Sequence, residues 1–98
     1  MNRPVFFRPA AERELLEAER WFEHRQTELG QRFRESVEVT IERIRQFPLS
    51  FQAVHGDKRR AIVPHFPYAL YFKVVEDHIV VAAVVHGHRD PAVWKHRR

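Results

Sequence analysis

Residues 79 to 85 read Ile-Val-Val-Ala-Ala-Val-Val, seven apolar side chains without a break. A strand with one wet face alternates apolar and polar residues. An unbroken run must instead bury both faces and sit inside a sheet, with neighbours on either side. A membrane helix needs about 20 such residues, so this run is far too short to be one.

Tyr68 to Val75 is rich in aromatic and β-branched residues and reads as a strand. It is joined to the apolar run by the tight polar turn Glu76-Asp77-His78, which makes a hairpin. Arg59 to Val63 supplies another strand, ended by Pro64, and Val5-Phe6-Phe7 forms a brief one near the start. Sequence alone does not pair that first strand.

Between them the period changes. Ala11, Leu15, Ala18, Phe22 and Leu29 recur on one helical face, with Leu16 and Trp21 at its edge. Pro9 suits the first turn, and Glu12 and Glu14 complement the positive end of the helix dipole. Gly30 interrupts the pattern. Phe33, Val37, Ile41 and Ile44 mark a second helix, which Phe47-Pro48 closes. Two amphipathic helices with so short a connection form an antiparallel hairpin. Pro48 to Asp57 reads as a loop.

The predicted order is therefore β-α-α-β-β-β. This is an α+β, two-layer domain with a helical hairpin packed on a small, mostly antiparallel sheet and a short C-terminal tail. Its 98 residues suit one domain, residues 1–98. With 44 % hydrophobic residues there is enough to build a core. There is no cysteine, so disulfides and thiolate metal sites are excluded. No signal peptide opens the chain, and the expected location is cytoplasmic, with no membrane contact.

Charge is unevenly placed. Residues 1–50 hold nine Arg and nine Glu, whereas residues 51–98 hold eight Lys or Arg against four acids and six of the seven histidines. The whole excess of +4 lies in the second half. Such a field favours an anionic partner, either nucleic acid or an acidic polypeptide.

Several reaction classes find no support. Ser36 and Ser50 are the only serines, and neither sits in a nucleophile elbow. Three glycines make no phosphate loop. His86-x-His88 places two imidazoles on one side of an extended chain, but no recognised spacing supplies further ligands, so neither a metal nor a cofactor is expected. RNA cleavage remains physically possible. Arg59, Arg60 and Arg89 are candidates to stabilise an anionic transition state, and His86 or His88 to move protons. Tyr68, Tyr71 and Trp94 are candidates to stack on bases. Each has a plainer reading: edge charges that block aggregation, half-buried sheet residues, a lid on an open core end.

Taken in order, these residues form a pattern. Arg60 opens a strand, Phe66-Pro67-Tyr68 opens the next, and Tyr71 lies within it. An acidic turn and the apolar strand follow, then His86-x-x-Arg89-x-Pro91-x-x-Trp94-x-x-Arg97. This set resembles the toxins of the RelE/ParE superfamily, the poisons of type II toxin–antitoxin pairs, and the helical hairpin with its closing Phe47-Pro48 is similar too. The resemblance is closest to the ParE, or plasmid-stabilisation, branch. It implies a cognate antitoxin as partner and inhibition of DNA gyrase by protein contact, with no sequence-specific DNA binding. Contact residues would be Arg59, Arg60, Tyr68, Tyr71, Arg89, Trp94, Lys95 and Arg97. The alternative is a ribosome-dependent endoribonuclease acting on messenger RNA, in which His86, His88, Arg60 and Arg89 would be catalytic. RelE-type enzymes also carry a tyrosine near the C-terminus, whereas this chain has none after Tyr71. A third possibility is an inactive homologue that only binds its antitoxin.

Overall fold

The computed structural model describes residues 3–87 and Arg97. The elements are β1 (Val5–Phe7), α1 (Pro9–Arg25), α2 (Leu29–Gln46), a 3-10 turn (Pro48–Ser50), β2 (Ala53–His55), β3 (Lys58–Ile62), β4 (Tyr68–Val75) and β5 (His78–His86). The five strands form one sheet in the order β1-β5-β4-β3-β2. The two helices cover one face, which is the expected α+β arrangement.

β5 stands between β1 and β4, as an apolar run without alternation requires. β1 pairs with it in parallel, Val5 opposite Ile79 and Phe7 opposite Val81. The Ile79 N–H donates to the Pro4 carbonyl at 2.9 Å, and the Arg8 N–H donates to the Val81 carbonyl at 3.0 Å. Parallel pairing needs a long crossover between the partners, and here the helical hairpin and the remaining strands all lie within it. β4 and β5 are antiparallel and in register except at one point. Tyr71 faces Ala83 while Phe72 faces Val81, so Ala82 is an extra residue and makes a bulge.

The core lies between the helices and the sheet. Ala11, Leu15, Ala18 and Phe22 from α1 and Phe33, Val37 and Ile44 from α2 meet Leu70, Phe72, Ile79, Val81 and Val84. The Phe22, Phe33, Phe66 and Tyr68 rings pack edge-on or tilted, with centroids 4.9 to 5.8 Å apart. Pairs of this kind add about 0.5–1.5 kcal/mol to the area they bury. Ala69, Tyr71, Ala83 and Val85 form a second buried cluster on the opposite sheet face, with Val54 against it. β5 therefore contributes to two cores.

Two local expectations need correction. The segment predicted as a loop from Pro48 to Asp57 contains both the 3-10 turn and β2, an edge strand of three residues with an irregular register against β3. Gly56, at φ 58°, turns the chain between β2 and β3. Gly30 is no helix breaker: it is the second residue of α2 and is buried. A Cβ there would lie 2.6 Å from the Glu19 carbonyl oxygen, so the glycine permits close approach of the helices. The break falls earlier, at Gln26–Glu28, where Glu28 takes φ 72°. The Glu23 carboxylate accepts the N–H groups of Glu28 at 2.9 Å and Gly30 at 3.0 Å, so a side chain of α1 caps α2.

Candidate functional site

Alternation along the strands separates the candidate residues. Arg60 lies opposite Tyr71 in the ladder and shares with it the sheet face turned away from the helices. Arg60 is exposed and Tyr71 is buried. Ile62, two residues on, leaves 58 % of its surface exposed on the same face. Lys73 follows Tyr71 there, so this face carries two cations beside apolar surface.

Arg59 points the other way. It pairs with Phe72 on the helix side, and its Nη1 donates to the Phe51 carbonyl at 2.6 Å. Its shown contact is structural, since it ties the stretch after the 3-10 turn to β3. Lys58, the first residue of β3, is buried.

Tyr68 and His86 are cross-strand partners, also on the helix side, with ring centroids 5.6 Å apart. They form one wall of a groove of about 610 Å³ between α1 and the ends of β4 and β5. Glu14, Glu17 and Trp21 stand on the opposite wall. Trp21 is half exposed, with the Arg25 guanidinium 4.7 Å from its ring centroid.

Arg97 reaches α1. Its Nη1 and Nη2 donate to Glu14 Oε1 and Oε2 at 2.9 and 3.0 Å, and Nη1 also donates to the Ala82 carbonyl at 3.2 Å. Glu14 Oε1 accepts the Val84 N–H at 3.0 Å as well. Glu14 was missed as a functional candidate because its place in the first turns of α1 accounts for it through the helix dipole. A second signal was present: position 14 lies three residues after Ala11 and four before Ala18, on the flank of the buried stripe.

His88, Arg89, Trp94 and Lys95 lie outside the described residues. Those that are described do not gather at one point. Arg60 and Tyr71 occupy the outer face, Tyr68 and His86 the groove, Arg59 the far side of the sheet near the 3-10 turn, and Arg97 the edge of β5. An RNA phosphate in reach of Arg60 would have the sheet between it and His86. Among the described residues, no three His, Asp or Glu side chains form a candidate metal site, and no helix is long and apolar enough to cross a membrane.

At the β4–β5 turn, Asp77 accepts a hydrogen bond from His78 Nδ1 at 2.8 Å. That bond, helped by the backbone N–H of Asp77, holds its carboxyl below the ordinary value of 3.8. Since the folded value is the lower one, the pair's contribution to stability is present at neutral pH and lost as acid protonates the carboxylate.

The sequence matches the family described as the ParE toxin of type II toxin–antitoxin system, parDE, over residues 5–91. Among solved structures, a chain of the chromosomal ParDE toxin–antitoxin system from P. aeruginosa superposes with a TM-score of 0.74. It covers 86 % of this chain and 95 % of its own at 11 % identity, a likeness of fold. No curated protein gives a significant match to the sequence.

Proposed function

From the premise that this chain belongs to the ParE toxin family of type II toxin–antitoxin systems, we propose that it inhibits DNA gyrase by protein contact when free of its antitoxin. As a toxin of this family it has a cognate antitoxin as its partner. The observation that supports contact over catalysis is the separation of Arg60 from His86. General acid–base cleavage of RNA needs a proton-transfer group and an anion-stabilising cation at the same phosphate, within hydrogen-bond reach. Arg60 and His86 lie on opposite sheet faces. Contact has no such requirement: the exposed side chains of Arg60 and Ile62, with the half-buried Lys73 beside them, suit a protein surface as they stand. Arg89, Trp94 and Lys95 complete the proposed contact set.

The antitoxin would approach through charge. An acidic segment is drawn to the second half of the chain, which carries the whole excess of +4.

The test is expression without and with the neighbouring antitoxin frame, followed by assays on the purified toxin. Growth arrest relieved by the antitoxin, together with loss of gyrase supercoiling at micromolar toxin, is the expected result. Arg60→Ala should weaken supercoiling inhibition about tenfold, as removal of an interface arginine does. Message cleavage on ribosomes with gyrase unaffected would replace this reading by the endoribonuclease one. Normal growth under full expression would leave a protein that only binds its antitoxin.

A further inference from the structure

The outer sheet face carries Arg60 and Lys73, and Lys58 adds a third cation. Residues of one strand face are two apart, so Lys58, Arg60 and Ile62 of β3 point the same way. Arg60 lies opposite Tyr71, and Arg59 opposite Phe72. Continuing that register by one residue sets Lys58 across from Lys73. Neighbours so placed have Cβ atoms about 4.5–5.5 Å apart, and like charges in that position destabilise a sheet. Lys58 is only 7 % exposed, so little water screens its charge.

No carboxylate offsets the cluster. The ion pairs described in the fold engage Arg34, Arg45, His78 and Arg97. Among the described residues, no acid pairs with Lys58, Arg60 or Lys73. Two lysines facing each other do nothing for stability, so their charge is available to an anion from outside the domain.

Two features of the face favour polypeptide over nucleic acid. Tyr71, the aromatic ring of this face, is 5 % exposed and leaves a base nothing to stack on. Ile62 is 58 % exposed beside Arg60, and a phosphodiester backbone has no apolar group to cover it. An extended polypeptide has both kinds of group. Its side chains recur on one face about every 6.6–6.8 Å, the same step that separates Lys58, Arg60 and Ile62.

We propose that this face receives an extended acidic segment of the target, in the pattern acid-x-acid-x-apolar. One carboxylate meets Lys58 and Lys73, the second meets Arg60, and the apolar side chain covers Ile62. That the segment belongs to gyrase rests on the proposed function above; the acidic, partly apolar chemistry of the ligand does not.

The test sets stability against function. Lys73→Glu turns the repulsion into attraction and should raise Tm by about 2–5 °C. Lys58→Met keeps the buried stem, removes the charge and should raise Tm as well. Both should weaken inhibition of supercoiling about tenfold. The peptide Glu-Thr-Glu-Thr-Leu at millimolar concentration should raise the Tm of the unmodified toxin and leave that of Lys73→Glu unchanged. A deoxythymidine pentamer serves as the nucleic-acid probe and should have the smaller effect.

A Tm that does not rise in either variant would overturn the opposed lysines and the proposal with them. A larger effect of the oligonucleotide would overturn the choice of polypeptide. A peptide effect that survives Lys73→Glu would place binding elsewhere and overturn the site. Stabilised variants that inhibit gyrase in full would overturn gyrase as the source of the segment. If the unmodified toxin leaves supercoiling intact, the proposed function fails, and the peptide still decides whether the face takes an acidic segment.

Discussion

Gly30 and Glu14 show how the same residue types mean different things according to what lies beneath them. A glycine after an amphipathic stretch reads as a stop, yet here it is the point where two helices touch, with the Glu19 carbonyl where a methyl group would go. Gly30→Ala should therefore destabilise the protein although alanine is the better helix former. The expected loss is about 1–3 kcal/mol, the usual range for overpacking, measured by urea denaturation. A substitution that stabilised the protein would show that the helices have room to separate. An acid in the first turns of a helix reads as a dipole partner, which Glu12 remains. Glu14 differs only by its angle around the helix, and that angle places it over the β5 edge. The residue-by-residue reading was reliable where side-chain period determines burial, as at Phe33 and Val37. It failed where a single atom's distance decides the role.

At the scale of elements, the helical hairpin and the β4–β5 hairpin were legible because each has a strong period and turn residues at its ends. β2 was not, because three residues give no measurable alternation and its register is irregular. The bulge was hidden for the opposite reason. In a run where every residue is apolar, an inserted residue leaves no mark, since nothing polar moves to the wrong face. Ala82 is that residue: Ile79, Val81 and Val84 face the helices, and Ala83 and Val85 face away. Deleting Ala82 removes the extra residue and leaves the alternation on either side intact. The shortened protein should keep its far-UV circular dichroism and lose several degrees in Tm. An unchanged Tm would mean that the bulge contributes nothing to stability.

For the molecule as a whole, the sequence located the basic excess in the second half, and the fold distributes it. Arg60 and Lys73 go to the outer sheet face, Arg59 is engaged with the Phe51 carbonyl, and Arg97 is held by Glu14. Arg59 and Arg60 do not share a face, because adjacent residues of a strand point to opposite sides. The net charge of +4 in the second half acts on encounter more than on fit. Association with the antitoxin should slow by about tenfold or more between low and high salt, with a smaller change in dissociation, as read by stopped-flow fluorescence of Trp21 and Trp94. Equal salt effects on both rates would argue for discrete buried ion pairs instead.

The parallel pairing of β1 with β5 joins residue 5 to residue 79. Synthesis runs from the first residue to the last, so the opening strand emerges from the ribosome long before its only sheet neighbour exists. Contacts at such separation form late. A nascent copy therefore cannot complete its sheet until β5 has been made.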